Sequence, residues 1–311
     1  MKQPLIITGP MYPPTLAELE QTYDAHRLWT APDKDALIAS MADRITAVAS
    51  SNSGGIDGAI MAKLPKLKTI AHFGVGYDTV DVDAARSRKI AVTNTPDVLT
   101  EEVADLALAL VLSAVRRVPQ GDKFVRDGKW LKGAMPLTDS VQGKTCGIVG
   151  MGRIGRAIAK RALAFNLRIA YQGPNKKSDV SWTYFKDPVE LAKEADIVII
   201  ACPGGEATRG LFNRAAIEAL GPKGTLVNIA RGTVIDETAM LEALQSGKLG
   251  SAGLDVFVDE PRVPDGFLAL DNVVLQPHVG SATHQTRKAM GQLVIDNLAA
   301  HFAGKPLVTP I

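Results

Sequence analysis

The sequence predicts an α/β protein of two domains built on doubly wound parallel sheets, and three observations predict it. Short apolar runs alternate with helical patterns along most of the chain, as successive βαβ units do. A GxGxxG run at 150–155 stands between an apolar strand and a stretch of strong helix formers. The chain has 311 residues, about twice the usual domain size, so two cores are expected.

Taken in order, Leu5–Thr8 reads as a first strand, followed by helical patterns at Thr15–Ala25 and Asp33–Ala42. Ile45–Ala49 is a buried strand, and Ser51-Asn52-Ser53-Gly54-Gly55 is the loop at its carboxyl end. Ligands bind along that edge of an open α/β sheet, so the loop is a candidate substrate wall; it reads equally as a plain turn. Lys68–His72 is the next strand, and Phe73–Asp78 the loop after it. Two glycines there leave the backbone N–H groups around Val75 and Gly76 accessible to a small carboxylate. His72 has no partner near it in sequence and reads as structural. Ile90–Asn94 is a further strand, ended by Pro96.

Thr100 opens a helix with Glu101 and Glu102 in its first turn, where the helix dipole favours acids. The helix continues through the apolar run Val103–Val115. Val118–Lys132, with Arg126, Lys129 and Trp130, is an amphipathic excursion outside the alternating units, and such segments commonly supply an oligomer contact. Strands then follow at Leu167–Tyr171, Asp196–Cys202, Thr225–Ile229, Ser251–Val256 and Val273–Leu275. Helices at Pro188–Glu194, Asn213–Leu220 and Glu237–Ser246 lie between them. The last helix, Thr283–Phe302, is expected to return to the first domain, which is then built from both chain ends: 1–97 with 285–311, against 98–284. Two crossings form a hinge, and closure about it is expected to exclude water.

Composition excludes several classes. A net charge of +2, with Lys and Arg scattered among acids, offers no polyanion-binding face, so no nucleic-acid partner is expected. Cys146 and Cys202 each lie in an apolar run and read as buried, reduced thiols of a cytoplasmic protein. Pro4, Pro10, Pro13 and Pro14 break the N-terminal stretch, which fails as a signal peptide. The longest apolar run carries Asp105 and Ser113 and is too short to cross a bilayer, so no membrane partner is expected. No metal is expected either.

The GxGxxG run, Gly150-Met151-Gly152-Arg153-Ile154-Gly155, does one physical job well. Gly150 permits a tight bend, Gly152 lets the backbone approach a pyrophosphate, and Gly155 lets helix and strand pack closely. Alone, it is also an ordinary glycine-rich turn.

Six motifs together carry a resemblance. They are Phe73–Asp78, Asn94–Thr100, GMGRIG, Asn228–Gly232, Gly253–Phe257 with Glu260-Pro261, and Pro277–Thr283. In this order they resemble the D-isomer-specific 2-hydroxyacid dehydrogenases, most of all glyoxylate/hydroxypyruvate reductases that use NADPH, with hydroxyphenylpyruvate reductases close by. The resemblance implies a Rossmann cofactor domain and a flavodoxin-like substrate domain built from both chain ends. It implies a catalytic trio, Arg231, Glu260 and His278, and a substrate site that adds Ser51, Asn52, Val75 and Gly76. Arg231 suits bidentate contact with a 2-keto carboxylate. Histidine, with an ordinary pKa of about 6.5, suits proton exchange near neutrality, and a carboxylate on its other ring nitrogen fixes the tautomer. Glu260 resembles that partner, and Asp255 resembles the family's contact to the nicotinamide amide.

The implied cofactor contacts are Gly150, Gly152, Arg153, Ile154, Gly155, Gln172, Gly173, Asn175, Lys176, Cys202, Pro203, Thr208, Ile229, Ala230, Asp255, His278 and Gly280. An NAD-preferring unit carries an acid about 20 residues past the glycines to bond the ribose 2′-OH. Gly173 stands there instead, so nothing repels a 2′-phosphate that Asn175, Lys176 and Arg153 could hold, and NADP(H) is favoured over NAD(H). NADPH-using relatives usually carry an Arg near Pro174, which this sequence lacks. The small residues of 51–55 suit glyoxylate or hydroxypyruvate and do not exclude an aromatic keto acid. A homodimer is expected. The rival reading is a non-catalytic dinucleotide sensor or corepressor, against which the retained trio argues.

Overall fold

The computed structural model describes residues 2–311. They divide into two compact units, one formed by residues up to Leu99 together with Ala282–Ile311, the other by Thr100–Ser281.

The first unit carries strands β1 (Pro4–Ile7), β2 (Asp24–Arg27), β3 (Ala47–Ser51), β4 (Thr69–Phe73) and β5 (Ala91–Thr93). Helices α1 (Pro13–Thr22), α2 (Lys34–Met41), α3 (Gly58–Ala62) and α4 (Val82–Ser87) connect them. All pairings are parallel, in the order β2-β1-β3-β4-β5, the flavodoxin-like arrangement. Every residue of β3 and β4 is buried, as expected of parallel strands covered on both faces. Ile6, Val48, Ile70 and Val92 on the sheet pack with Met41 and Met61 from the helices.

The structure departs from the sequence expectation at one helix end and adds two short helices. The first helix ends at Thr22, because Tyr23 is extended and Asp24–Arg27 pairs with Pro4–Ile7 as an edge strand. Asp-Ala-His-Arg carries no β-branched or alternating apolar signal, so only its neighbour's hydrogen bonds make it a strand. The short helices α3 and α4 are additions, each opened by an aspartate cap: Asp57 accepts from Ile60 N–H, and Asp81 from Ala84 N–H.

The second unit has the helices α5 (Thr100–Arg116) and α6 (Val118–Arg126), then β6 (Thr145–Val149), α7 (Arg153–Ala164), β7 (Arg168–Gln172) and β8 (Thr183–Phe185). It continues with α8 (Pro188–Glu194), β9 (Ile197–Ile200), α9 (Arg214–Leu220), β10 (Thr225–Asn228), α10 (Glu237–Gln245), β11 (Ser251–Leu254), α11 (Asp265–Leu268) and β12 (Val273–Leu275). The chain ends in α12 (His284–Phe302), which packs on α1 and β4 of the first unit's sheet. Seven parallel strands run in the order β12-β11-β10-β9-β6-β7-β8, a doubly wound Rossmann sheet with one further edge strand. Val149, Val198, Ile200, Leu226 and Leu254 form the centre of its core, with Phe212 packed against them. Strand β8 is absent from the sequence reading: its Thr-Tyr-Phe is too short to show a period.

Among the described residues no helix is long and apolar enough to cross a membrane.

Candidate active site

In the second unit the strand order reverses between β6 and β9, and an open α/β sheet binds its ligand outside that point. The GMGRIG turn follows β6, and Cys202 follows β9. Gly150 has φ +99, and a Cβ there would lie 2.6 Å from the Cys202 backbone N, so only glycine fits. A Cβ on Gly155 would collide with the Gly150 carbonyl, so the glycine sets how closely α7 packs on β6. Gly152 is the opposite case, since a Cβ there meets nothing within 4 Å. The turn is tight behind and open in front, and α7 begins at Gly152 without a side-chain cap. The first-turn N–H groups and the positive helix end therefore fit a pyrophosphate. Cys202 is buried, and burial pushes its thiol up to about 11, so it contributes shape rather than a thiolate.

The end of β7 is arranged by side chains. Gln172 is buried and its Nε2 donates to the Lys186 carbonyl at 3.0 Å, which commits the amide to the sheet edge. Tyr184 Oη donates to Gly173 O at 3.0 Å, and Lys177 N–H to Tyr171 Oη at 2.8 Å, holding the 173–177 loop from below. Asn175 and Lys176 on that loop are exposed, as is Arg153 at the start of α7. Thr208 Oγ1 donates to Pro203 O at 2.7 Å and closes the loop after β9.

Arg231 lies three residues beyond β10, next to the buried Ile229 and Ala230. The loop is held by Asn228, only 1% exposed, whose Oδ1 accepts from Ala230 N–H at 3.0 Å and whose Nδ2 donates to Arg231 O at 2.9 Å. Arg231 Nη1 donates to Ala230 O at 2.8 Å, which fixes one side of the guanidinium. The sequence motif contained Asn228 but gave it no role; its signal was an amide at a strand end, where local backbone bonding is its usual use.

Beyond β11, Asp255 is 1% exposed. Its carboxylate accepts from Val279 N–H at 2.7 Å and Gly280 N–H at 2.9 Å, and its carbonyl accepts from His278 N–H at 2.8 Å. Burial pushes this carboxyl above the ordinary aspartate value, against the pull of those two N–H bonds. In the structure Asp255 is thus the anchor of the His278 loop, and both of its oxygens are engaged by backbone.

His278 has φ 55 and presents Nδ1 to Glu260 Oε2 at 2.6 Å. The other oxygen, Oε1, accepts from Phe257 N–H at 3.1 Å. Burial works to raise the Glu260 carboxyl, but the His278 hydrogen bond and charge, the Phe257 N–H and the Arg231 charge outweigh it and hold it below the ordinary glutamate value. The structure therefore brings Arg231, Glu260 and His278 into one electrostatic group. A carboxylate only accepts, so the proton of this contact sits on Nδ1, and Nε2 takes no part in it.

In the first unit the strand order reverses between β1 and β3. A cavity of about 320 Å³ opens there, lined among others by Met11, Tyr12, Ser51, Asn52, Phe73 and Arg287. The Ser51 hydroxyl is buried without a hydrogen-bond partner. Arg287 lies over the Phe73 ring at 5.8 Å. Val75 and Gly76 follow β4 in the neighbouring turn. His72 is fully buried and bonded to Ser50, Asn52 and Gly76, partners that spacing alone does not reveal.

Residues 108–280 match the family model described as the D-isomer specific 2-hydroxyacid dehydrogenase NAD binding domain. The chain is 48% identical over 294 residues, 94% of each chain, to glyoxylate/hydroxypyruvate reductase A of Arabidopsis thaliana. It shows the same 48% identity and 94% coverage with hydroxyphenylpyruvate reductase of Plectranthus scutellarioides. Among solved structures, the NADPH-dependent glyoxylate/hydroxypyruvate reductase of Sinorhizobium meliloti, in complex with NADP and malonate, superposes with TM-score 0.92 at 41% identity, covering 100% of this chain and 97% of that one. With a doubly wound NAD-binding sheet and relatives similar over nearly their whole length, the chain belongs to the D-isomer specific 2-hydroxyacid dehydrogenase family.

Proposed function

We propose that this enzyme reduces a small 2-keto acid, glyoxylate or hydroxypyruvate, to the D-2-hydroxy acid with NADPH, and that Arg231, Glu260 and His278 carry the chemistry. The observation that carries the reading is the 2.6 Å contact of His278 Nδ1 with Glu260 Oε2, beside the Arg231 charge. A dinucleotide sensor has no use for a proton donor, so the dyad argues for turnover.

The residues present fit the cofactor: the open face at Gly152 and the uncapped start of α7 suit the pyrophosphate, and the absence of an acid at Gly173 suits a 2′-phosphate beside Asn175, Lys176 and Arg153. The remaining cofactor contacts are proposed as given by the family pattern, Ile154, Pro203, Thr208, Ile229, Ala230 and Gly280 included. When bound, the nicotinamide supplies the hydride that adds to C2 of the keto acid.

Each protein residue then has a defined task. The Arg231 guanidinium holds the carboxylate and draws electron density onto the carbonyl oxygen. As the C=O π bond breaks, His278 Nε2–H gives its proton to that oxygen, and the ring ends neutral. Glu260 keeps the proton on Nδ1 and stabilises the imidazolium before transfer; in the reverse direction Nε2 accepts the hydroxyl proton. The N–H groups of Val75 and Gly76 hold the substrate carboxylate, and Ser51 and Asn52 border its side chain. The equal identity to a hydroxyphenylpyruvate reductase favours a second reading, an aromatic 2-keto acid at the same site. A panel of glyoxylate, hydroxypyruvate and hydroxyphenylpyruvate with each reduced cofactor tests both.

A homodimer belongs to the same reading. Helix α6 buries none of its residues, and Trp130, Leu131 and Leu137 near it are 69%, 94% and 99% exposed. A second copy covering this segment removes that apolar surface from water.

A further inference from the structure

Three successive carbonyls of the turn after β4 are tied down. Gly74 O accepts from Thr95 N–H at 3.0 Å, Val75 O from Asn94 Nδ2 at 3.0 Å, and Gly76 O from His72 Nε2 at 3.0 Å. These peptides are trans, so each N–H points opposite to its carbonyl. Anchoring the three carbonyls therefore aims the N–H groups of Val75, Gly76 and Tyr77 away from the anchors, as a nest for an anion requires.

His72 is the anchor whose geometry is most constrained. It is 0% exposed and pairs with Ser50 in the β3–β4 register. A carbonyl only accepts, so the bond to Gly76 O places the proton on Nε2; in the neutral ring Nδ1 then accepts from the Ser50 hydroxyl at 2.9 Å. The same Nε2–H lies 3.0 Å from Asn52 Oδ1, so one ring ties the 51–53 loop to the turn. A Cβ on Gly74 would sit 2.9 Å from Nε2, so the glycine makes room for this contact. Asn94 is itself braced, its carbonyl accepting from Thr309 Oγ1 at 2.6 Å.

We propose that His72 is a positioning residue for substrate binding: through Gly76 O and Asn52 it holds the turn so that its N–H groups converge on the substrate carboxylate. The proposal rests on the carboxylate role assigned to Val75 and Gly76 above. The same pattern gives Asn94 a parallel part through Val75 O.

The test uses the full-length enzyme and the variants H72L, H72Q and N94A, with KM for the keto acid, KM for NADPH, kcat, melting temperature and the inhibition constant of oxamate, a carboxylate that is not reduced. H72L and N94A are expected to raise the keto acid KM and the oxamate constant together, roughly tenfold for one lost anchoring bond. Meanwhile kcat and the NADPH KM stay within about twofold, and H72Q, which keeps an N–H donor, recovers most of the affinity. Unchanged KM and oxamate constants in H72L overturn the proposal. A parallel fall of kcat, cofactor affinity and melting temperature that H72Q does not reverse also overturns it, since His72 is then only core packing. If the wild type reduces no 2-keto acid, the functional reading fails separately. Calorimetric oxamate binding to wild type and H72L then decides the positioning role: tenfold weaker binding in H72L supports it, and equal or absent binding in both overturns it.

Discussion

Replacing Gly173 by Asp is the sharpest probe of cofactor choice. Gly173 directly follows β7, its φ lies outside the left-handed region, and a Cβ there meets nothing nearer than Asn175 O at 4.0 Å. The new side chain is therefore seated without strain, and the loop beneath it stays held by Tyr184. A carboxylate about 6 Å from a 2′-phosphate of charge near −2, in a largely aqueous dielectric, is repelled by about 1.5 kcal/mol. A charge-assisted hydrogen bond to the free 2′-OH of NADH contributes about another 1.5 kcal/mol. Together these shift the ratio of kcat/KM for NADPH over NADH by about 3 kcal/mol, a little over a hundredfold. Initial rates of absorbance loss at saturating keto acid measure the ratio. A change below about threefold, with the keto acid KM intact, refutes the placement of Gly173 at the ribose 2′ position.

The other predictions concern the catalytic group and the exposed helix. H278N should collapse kcat, by about three orders of magnitude for a lost general acid, while fluorescence titration of NADPH stays nearly unchanged; surviving turnover means that the proton comes from elsewhere. D255A should lower both kcat and stability, because two charge-assisted bonds to the His278 loop are lost, about 3 kcal/mol in all by chemical denaturation. Glu260 has a lowered folded pKa, so its stabilising contribution is complete above the ordinary glutamate range and is lost as pH falls through the lowered folded value. Melting curves taken from neutral to acid pH should lose this increment in the wild type and lack it in E260Q; identical curves contradict the coupling. L131D should convert a dimer to a monomer in light scattering, and a wild-type monomer refutes the assignment of the α6 segment.

What was legible in the sequence follows from what sequence patterns encode. Apolar runs such as Ile197–Ile200 and the 100–116 helix announce buried elements, because burial on both faces or on one stripe dictates composition locally. Gly150 and Gly155 were readable for a related reason, since no other residue fits their backbone. The edge strand Asp24–Arg27 was not, because its conformation comes from the neighbouring strand. The partners of His72 were hidden for the same cause: Ser50 is 22 residues away and reaches it only through strand register. Arg231, Glu260 and His278 could be named from their motifs. Their convergence, and the use of Asp255 and Asn228 to hold two of the loops, depends on where three strands end side by side.

A 2-keto acid reductase that prefers NADPH shows itself in the cofactor kinetics of the unmodified enzyme. Loss of reduced-cofactor absorbance is followed with glyoxylate, hydroxypyruvate and hydroxyphenylpyruvate, each offered with NADPH and with NADH. Rapid oxidation of NADPH with glyoxylate or hydroxypyruvate is expected, with a lower kcat/KM for NADH. Absence of oxidation with every keto acid contradicts the catalytic reading, and a higher kcat/KM with NADH contradicts the reading of Gly173.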